Sequence, residues 1–430
     1  MRIGIVGAGF TGLSAAYYLL KLGHKVSIFE KDIGPGGLAL GYKEQKWKWT
    51  LEKHFHHWFT NDKYILELAK EINHDVLIKR PKTSVYIKGK IYQFDSPLSV
   101  LKFPLLSILD RLRMGAVIAG LRYNPLWRPL EKYNATLTLP KWMGEKSYKM
   151  IWEPLFKNKF GPYSADISLA WFWARIVKRT PSLAYPEGGF LSFANHLVKV
   201  IEEKGGKVYF DTEIIELTVE GKPLIKVKSQ KSKAKSQKFD AVIVTLPSFL
   251  FLKIAVDLPE SYKKNFARLK GLGATNLILR FNQSFLPGRT YWLNICDTGN
   301  PIMGIMEHTN FMDKKFYNNE HLVYLGNYLP SDSPRFAMDK EELLSLFDPY
   351  LKKINPNYRK SLIGLELFKA PFAQPIIPTN YSKMIPPMKT PLPNVYLANI
   401  EQVYPWDRGT NYAVELGRKV TSYITDAENK

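Results

Sequence analysis

The chain has 430 residues and a mass of 49.5 kDa, which at about 150 residues per domain predicts two or three domains, or one fold with a large insertion. Its 45% hydrophobic content, 13% aromatic content and single cysteine, Cys296, exclude a disordered or fibrous chain and an internal disulfide. The 61 Lys and Arg against 39 Asp and Glu give a net charge of +22, which leaves nucleic acid, an anionic membrane surface or an anionic ligand as explanations.

The first predicted elements are two short strands around a helix. Ile3–Val6 and Val26–Phe29 have the composition of buried strands, and Leu13–Leu22 predicts a helix that ends at Gly23. No signal peptide is predicted, because the first strand begins at once, and no segment reaches the roughly 18 apolar residues of a spanning helix. We therefore expect a cytoplasmic protein, with a peripheral position on the inner face of the membrane left open.

The turn between the first strand and the helix carries the pattern GxGxxG. Gly7 permits the tight turn, Gly9 lets the backbone approach a diphosphate, and Gly12 allows close packing of helix on strand. Phe10 and Thr11 open the helix, whose N-terminal N–H groups and partial positive charge favour an anion. The strand–turn–helix context predicts a dinucleotide-binding site.

An acidic residue closes the second strand, as the dinucleotide fingerprint requires. Glu30 would accept hydrogen bonds from a ribose diol and would repel a 2′-phosphate, which disfavours NADP. Lys31 follows it and is placed at the same site.

A second glycine pair follows six residues after Glu30. Gly36 and Gly37 precede Leu38 and Ala39, and the combination resembles the flavoprotein family of amine oxidases, protoporphyrinogen oxidases, carotenoid desaturases and UDP-galactopyranose mutases. In that family the paired glycines approach the diphosphate and the flavin. The resemblance implies FAD as the cofactor, with these four residues in contact with it.

Three histidines occupy the segment that passes beside the flavin in the family. The resemblance implies cofactor contacts for His56 and His57 and a catalytic role for His56, and His54 lies in the same segment. A metal site is the weaker interpretation, because no carboxylate or cysteine with ligand spacing lies nearby. We predict no metal.

Residues from about 97 to 180 interrupt the α/β pattern and resemble the family's helical insertion in the substrate domain. Apolar residues recur there at helical spacing, interleaved with basic ones: Leu101, Leu105, Ile108, Leu109, Leu112 and Ala116. We interpret this apolar face as packed against the protein over a substrate tunnel, the alternative being a basic amphipathic helix that lies on a membrane. Trp171 and Arg175, later in the insertion, are assigned to the substrate.

Later segments continue the resemblance. Ile214 lies on the return strand that in the family reaches the adenine, and residues 240–247 match the strand that rejoins the nucleotide sheet. Between them, residues 226–238 hold six lysines, no acid and no aromatic residue, which indicates a solvated hairpin. With no recognisable nucleic-acid module, nucleic acid is not predicted as a partner.

Residues 291–294, 304–310 and 324–328 are predicted as neighbouring strands. The resemblance implies that they belong to the sheet that forms the floor of the substrate cavity in the family. Alternation along the second strand would put Glu307 on one face and His308 and Asn310 on the other. His308 is the first candidate for an acid–base role because imidazole titrates near neutral pH, and a structural histidine in the sheet is an equal alternative. Glu307, Asn310 and Tyr328 are assigned to the substrate.

The C-terminal segment is similar to the family's closing flavin motif, in which a helix N-terminus points at the pyrimidine edge of the flavin. Asn399 stands where the family has the Asp of a Gly-Asp pair, and an Asn can still bond a ribityl or phosphate oxygen. Tyr404, in the loop that follows, is a further catalytic candidate. The remaining cofactor residues implied here are Arg408, Gly409, Thr410 and Asn411.

Together these features predict an α/β protein with a discontinuous Rossmann-like FAD-binding domain, interleaved with an α+β substrate domain that carries the helical insertion. The FAD-binding parts are expected at residues 1–80, 186–255 and 376–430. The substrate domain is expected at residues 81–185, with the insertion, and at 256–375.

The expected function is that of a protoporphyrinogen-oxidase-like, FAD-dependent oxidoreductase. It would remove hydride from an extended apolar or anionic small-molecule or lipid-linked substrate to flavin N5 and pass electrons to oxygen, a quinone or another acceptor. One alternative resembles UDP-galactopyranose mutase, a reaction without net redox change on a nucleotide- or lipid-linked sugar, with Lys159, Arg175 and Arg408 holding a diphosphate. The other is a FAD-binding scaffold that docks on membranes.

Overall fold

The computed structural model describes residues 1–229 and 232–428, and a five-stranded parallel sheet organises both ends of this chain. In spatial order its strands are Lys207–Tyr209, Lys25–Phe29, Arg2–Val6, Ala241–Val244 and Val395–Leu397. The strands come from widely separated stretches of sequence, so the predicted discontinuous Rossmann-like arrangement is confirmed. Both faces of the sheet are apolar, as parallel strands covered on two sides require.

Helices cover one face of the parallel sheet. Phe10–Lys21, Phe190–Glu203 and Thr410–Glu428 pack together there, and Lys63–Glu71 packs on the last of them. The first and last helices touch backbone to backbone at Gly417, because a Cβ at this position would lie 1.9 Å from Ser14 Oγ. The C-terminal helix therefore packs tightly against the helix that follows the glycine-rich turn.

The other face is covered by a small antiparallel sheet of Thr212–Glu220, Lys222–Ser229 and Ser232–Lys238, together with the helix Ser248–Ile254. This sheet contains the lysine-rich segment, of which residues 230–231 lie outside the described residues.

A second, seven-stranded sheet carries the rest of the core. Its spatial order is Leu362–Pro375, Gly271–Phe281, His321–Leu329, Gly304–Glu307, Thr290–Ile295, Lys82–Ile87 and Lys90–Gln93. Neighbours are antiparallel except Thr290–Ile295 and Lys82–Ile87, which run parallel. The helix Lys340–Ile354 covers one face through Leu343 and Phe347, and the other face is directed toward the histidine segment, where Asn276 lies beside His54.

One predicted strand is too long. Residues 304–310 were expected to remain extended, but the strand ends at Glu307 and His308–Asn310 forms a 3₁₀ turn. The N–H groups of Phe311 and Met312 both donate to the His308 carbonyl at 2.9 Å, which turns the chain out of the sheet. The predicted alternation of side chains past Glu307 is therefore wrong.

The helical insertion forms as predicted, but its exposed face differs from the interpretation. Ile108–Tyr123 packs on the protein through Met114 and Leu121, which are buried. Of the six apolar residues chosen from the spacing, only Leu105 is partly buried and the other five are exposed. Periodicity identified an amphipathic helix, but it could not decide which of two apolar stripes the neighbouring helices would cover.

The remaining elements are short. Other helices are Pro97–Leu101, Ala135–Met143, Glu145–Ser147, Glu153–Phe160, Leu169–Lys178, Glu260–Phe266, Pro334–Ala337 and Tyr358–Ser361, with a π-helical segment at Tyr148–Trp152. Small strands are Gly41–Tyr42 with Leu51–Glu52, and Trp58–Phe59, Leu183–Pro186 and Val76–Lys79. Within the described residues, no helix combines the length and apolar composition needed to cross a membrane.

Candidate functional site

The glycine-rich turn is built to receive an anion. Gly7 has φ +103°, and a Cβ on Gly12 would lie 2.1 Å from the Gly7 carbonyl oxygen, so helix and turn pack as closely as backbone allows. The helix begins after Gly9 with no side-chain cap and no acidic residue in its first turn. Its first N–H groups therefore have no capping side chain and suit a diphosphate.

The second glycine pair faces this turn. Gly36 N–H donates to the Ala8 carbonyl at 2.9 Å, and a Cβ on Gly37 would lie 3.4 Å from the Gly9 Cα. A side chain at Gly37 would enter the space between the two loops, and one at Gly36 would contact Leu40 of its own loop. Beside them Ala39 is buried and Leu38 packs on the core of the helical insertion.

The acidic residue at the end of the second strand is oriented by backbone donors. Glu30 is 8% exposed, and its carboxylate accepts from Ala8 N–H at 2.7 Å and from Asp32 N–H at 2.9 Å. Burial raises the pKa of Glu30, and these N–H groups oppose the rise. Lys31 beside it is exposed. Each carboxylate oxygen keeps a lone pair for a ribose hydroxyl.

The return strand lies against the same corner. Thr212 N–H donates to the Glu30 carbonyl at 2.8 Å, and Ile214 is buried with Val6 and Phe29 at the carboxyl ends of the parallel strands. This is the position at which open α/β sheets bind ligands. Behind the turn, Thr11 is buried and Phe10 stacks on Phe193 with ring centres 5.7 Å apart.

Each of the three histidines lies within hydrogen-bonding distance of a different group. His54 Nδ1 lies 2.5 Å from Asn276 Nδ2, His56 Nδ1 lies 2.6 Å from the His54 carbonyl, and His57 Nδ1 lies 3.2 Å from the Tyr291 hydroxyl. Burial lowers the pKa of these imidazoles to about 3 for His54 and His57 and about 4 for His56, so they are neutral. A carbonyl can only accept, so His56 carries its proton on Nδ1 and its Nε2 is an acceptor.

The start of the C-terminal helix is fixed to the histidine segment. Trp58 Nε1 donates to Thr410 Oγ1 at 2.7 Å, and Ile65 N–H donates to Asn411 Oδ1 at 3.2 Å. Gly409, just before the helix, is exposed. Two segments more than 300 residues apart thus meet in one place.

The loop before that helix holds a polar network of its own. Asn399 accepts from Glu401 N–H at 3.2 Å and donates to the Leu246 carbonyl at 3.1 Å and to the Ser248 hydroxyl at 3.0 Å. Its side chain is thus bonded within the protein. Tyr404 donates to Glu131 at 3.0 Å.

A cluster of charged side chains lies where this loop meets the helical insertion and the seven-stranded sheet. Arg175 and Asp407 form a hydrogen-bonded ion pair, and Lys159 Nζ lies 3.9 Å from the same carboxylate. Trp171 Nε1 also donates to Asp407, at 3.2 Å. Arg408 is hydrogen-bonded to the Tyr328 hydroxyl and donates to Gln374 at 3.2 Å. We call Lys159, Arg175 and Arg408 around Asp407 the cation cluster.

Charges in the cation cluster are unbalanced. Lys159 is 13% exposed, and its Nζ lies 4.7 Å from the centre of the Tyr328 ring. Burial lowers the pKa of Lys159 well below its ordinary value, against the pull of Asp407. The pKa of Asp407 is lowered because Lys159, Arg175 and Arg408 outweigh its burial. One carboxylate therefore faces an excess of positive charge.

The sheet face between the histidines and the cation cluster carries two buried polar side chains, Asn276 and Tyr328. Gly326 lies beside Asn276, and a Cβ there would lie 2.7 Å from the Phe55 ring. The side-chain oxygen of Asn276 is buried without a hydrogen-bond partner, which suits a donor on a bound molecule. Tyr328 follows two residues later on the same strand and face.

Three predicted site residues lie elsewhere. His308 is 2% exposed, and its Nε2 lies 2.8 Å from the Tyr317 hydroxyl in a cluster of tyrosines. Burial lowers its pKa to about 3. Glu307 accepts from the Ser284 hydroxyl at 2.8 Å and from Leu286 N–H at 2.6 Å. Asn310 donates to the Thr290 carbonyl at 2.9 Å. The structure does not bring them to the cation cluster, and their assigned roles remain untested predictions.

A model of the family described as flavin containing amine oxidoreductase matches residues 10–401. The chain belongs to this family. Coproporphyrinogen III oxidase of Staphylococcus aureus is 23% identical over 297 residues, which are 58% of this chain and 61% of that enzyme. The aligned part of that enzyme is thus less than two thirds of its length.

Solved structures share the fold. An oxidoreductase from Methanosarcina mazei superposes with a TM-score of 0.77 at 20% identity, over 98% of this chain and 100% of the other. A reduced UDP-galactopyranose mutase superposes with a TM-score of 0.76 at 13% identity, over 100% of this chain and 94% of the other. At these identities the likeness establishes the fold, and activity has to be argued from the site.

This flavoprotein binds FAD, and the site described above fits it. The uncapped helix start and the facing glycine pairs suit the diphosphate, and Glu30 suits the ribose. Asp407, Gln374 and Asn276 were not predicted from the sequence, although they contact the predicted site residues Trp171 and Arg408 and the histidine segment. For Asp407, the one signal in the sequence was that an acidic residue directly precedes Arg408. Gln374 and Asn276 carry no such signal, because each is an ordinary strand residue whose neighbours are known only once the sheet has formed.

Proposed function

We propose that this flavoprotein is an oxidoreductase whose extended organic substrate carries a negatively charged group, in line with the protoporphyrinogen-oxidase-like function expected from the sequence. The observation that carries the proposal is the excess of positive charge in the cation cluster. When bound, FAD supplies the two-electron chemistry. The protein's own residues bind the substrate, orient it and manage the proton.

The cation cluster supports an anionic substrate because its charges are incompletely paired. Arg175 and Lys159 share one carboxylate, while Arg408 contacts only neutral partners among its hydrogen bonds, Tyr328 and Gln374. A carboxylate or phosphate would supply the missing negative charge through charge-assisted hydrogen bonds. It would also raise the lowered pKa of Lys159.

The position of the cluster supports an extended substrate. Arg408 lies two residues before the C-terminal helix, and the sheet face at Asn276 and Gly326 leads from there to His54. A molecule bound by its anionic end at Arg408 would lie along this face. The neutral His56, with Nε2 as an acceptor, is our candidate for receiving a substrate proton.

The test uses the flavin absorbance of the purified holoprotein under anaerobic conditions. Pairs of candidate substrates are compared, each a carboxylate and its neutral methyl ester, and bleaching of the flavin reports oxidation. Arg408→Met should weaken binding of the carboxylate about 10- to 100-fold, since a hydrogen bond between charged groups contributes about 1.5–3 kcal/mol. The ester should be unaffected.

The matched control is Lys199→Met, which removes one positive charge at a side chain 74% exposed on the helix Phe190–Glu203. It should leave both substrates unchanged. The proposal would be contradicted if Arg408→Met weakened binding of the acid and of the ester equally. It would also be contradicted if Lys199→Met weakened binding of the acid as much as Arg408→Met does. Reoxidation of the bleached protein by oxygen, a quinone or another compound then identifies the acceptor.

The second candidate is a mutase-like reaction on a nucleotide-linked sugar. The cation cluster would equally hold a diphosphate, and the shared fold with UDP-galactopyranose mutase is consistent with it. Turnover that requires prior dithionite reduction and consumes no acceptor would favour this reaction. A flavin that no candidate reduces, with no such turnover, would favour a FAD-binding scaffold without catalytic activity.

A further inference from the structure

A pocket of about 660 Å³ lies at one end of the seven-stranded sheet, outside the candidate site. It is bounded by the loop 299–301, the segment 329–338, the helix Glu153–Phe160 and the helix Lys340–Ile354. Pockets that bind small molecules measure roughly 300–1,000 Å³, so this one has room for such a ligand. We call it the Arg335 pocket, after the one charged side chain that lines it.

Six of the residues that line the Arg335 pocket are apolar. Leu329 ends the strand His321–Leu329, Met338 closes the segment that follows it, and Leu346 lies on the helix that covers the sheet. The other three are prolines, at positions 301, 330 and 334. Side chains of this kind suit the apolar body of an organic molecule.

The charge of Arg335 has no partner of opposite sign. Its side chain is partly buried, and one of its five N–H groups donates to the Pro301 carbonyl at 3.0 Å. In the described part of the chain no carboxylate forms an ion pair with it, and burial lowers the pKa of Arg335. The nearest acids along the chain, Asp332 and Asp339, are exposed. A bound anion would compensate this partly buried charge.

A second donor lies on the residue before that proline. Asn300 is 8% exposed, and its Oδ1 accepts from Ile302 N–H at 3.0 Å. This bond fixes the orientation of the amide, whose Nδ2 donates to no described residue. The Tyr350 hydroxyl holds the same loop by donating to the Gly299 carbonyl at 3.2 Å. The loop therefore offers an amide N–H next to the carbonyl that Arg335 binds.

The Arg335 pocket is separate from the cation cluster. Tyr328, whose ring lies beside Lys159 Nζ, and Leu329 are consecutive on one strand, so their side chains point to opposite faces of the sheet. Leu346, on the covering helix, lines the pocket together with Leu329. The pocket therefore opens on the side of the covering helix, away from the cation cluster.

We propose that the Arg335 pocket binds a small organic anion, with its carboxylate at Arg335 and Asn300 and its apolar part against the leucines and the methionine of the wall. A guanidinium suits such a group because its planar N–H donors match the two oxygens of a carboxylate. No residue assigned to the proposed reaction lines this pocket, so the proposal does not depend on the proposed function.

The test is calorimetric titration of the FAD-loaded protein with benzoate, which joins a carboxylate to an apolar ring, and with benzamide, its neutral counterpart. The parent should bind benzoate more tightly than benzamide. Arg335→Met should weaken binding of benzoate about 10- to 100-fold, because hydrogen bonds between charged groups are lost. The matched control is Arg268→Met, which removes an arginine that is exposed elsewhere and should bind benzoate like the parent.

A second variant supplies the missing negative charge from the protein itself. Asn300→Asp keeps an acceptor for Ile302 N–H and puts a carboxylate next to the carbonyl that Arg335 binds. It should therefore also weaken binding of benzoate, because the added charge repels the anion and pairs with the arginine. Flavin content and thermal midpoint show that each variant is folded.

Arg408→Met is titrated as well, because benzoate that binds at the cation cluster would add an event that only this variant removes. The proposal is overturned if the parent binds no benzoate, if it binds benzamide as tightly, or if Arg335→Met binds benzoate as tightly as the parent. Loss of benzoate binding in Arg408→Met alone would place the anion at the cation cluster. That result would overturn the proposal for the Arg335 pocket and support the proposed function.

Discussion

Gly417→Ala should destabilise the protein although alanine is the better helix former. Without tertiary contacts, the change would stabilise a helix interior by about 1 kcal/mol. Here the new Cβ would lie 1.9 Å from Ser14 Oγ, 2.7 Å from the Thr11 carbonyl oxygen and 2.9 Å from Ala15 N. Overpacking costs about 1–3 kcal/mol, and contacts this short with two backbone atoms favour the upper end of that range, so we expect a net loss of about 2 kcal/mol.

The displaced atoms also lie at the turn that is predicted to bind the cofactor diphosphate. Thr11 lies in the first turn of the helix that begins after Gly9, so separation of the two helices should move the diphosphate donors. Urea unfolding followed by circular dichroism measures stability, and the ratio of flavin to protein absorbance measures FAD retention. Both should fall in Gly417→Ala.

A matched glycine provides the control. Gly120 is also inside a helix, but nothing lies within 4 Å of the position that a Cβ would take there, so Gly120→Ala should raise stability by up to about 1 kcal/mol. A Gly417→Ala protein as stable as the parent would refute the reasoning. If the double variant Ser14→Ala/Gly417→Ala were as stable as the parent, the loss in Gly417→Ala would come from the Ser14 hydroxyl group alone, and the two helix backbones would not need to separate.

Four further changes test individual residues. Glu30→Ala should leave the fold intact and reduce FAD retention on dialysis, and unchanged flavin content would contradict its ribose role. Burial raises the pKa of Glu52 from its ordinary 4.5 to about 7, so the folded state holds this proton more tightly. The free energy of unfolding should therefore fall as pH rises from about 4.5 through 7, by at most about 3 kcal/mol. If urea unfolding of a Glu52→Gln protein showed the same fall, the pH dependence could not be assigned to Glu52. Asp407→Asn should lower the thermal midpoint of the ligand-free protein, because it leaves the cations repelling each other, and sulfate should restore part of the loss; a midpoint insensitive to sulfate would argue against anion binding. His308→Ala should lower stability and leave the pH profile of turnover unchanged, whereas an altered profile would restore the acid–base role.

Local patterns predicted the FAD half of the molecule well. The strand, the glycine-rich turn, the helix and Glu30 lie within thirty residues, so their geometry follows from backbone requirements that the sequence states directly. The strands predicted at residues 291–294 and 324–328 also formed, because a strand's alternation of side chains is likewise a local pattern. The prediction of a strand through His308 was wrong because hydrogen bonds from Phe311 and Met312 stabilise a turn there, and the alternation of side chains does not reveal such bonds.

The helical insertion shows a second limit of structure prediction from local sequence patterns. Both faces of Ile108–Tyr123 carry apolar residues, and the spacing of one stripe was taken as the buried one. Packing covered Met114 and Leu121 instead and left Leu109 exposed. A hydrophobic period defines a face, but which face is covered depends on where the neighbouring helices lie.

The sequence by itself determined that the chain binds a dinucleotide through its first thirty residues, because those donors and acceptors are neighbours along the backbone. The sequence also grouped Lys159, Arg175 and Arg408 as a diphosphate site under the mutase-like alternative, but only the tertiary structure showed that they surround Asp407. Lys159, Arg175, Asp407 and Arg408 come from three distant segments and acquire their shared charge imbalance when the insertion, the sheet and the C-terminal loop meet. The net charge of +22 gave no location for that imbalance, because electrostatic interaction depends on distance in space and not along the chain.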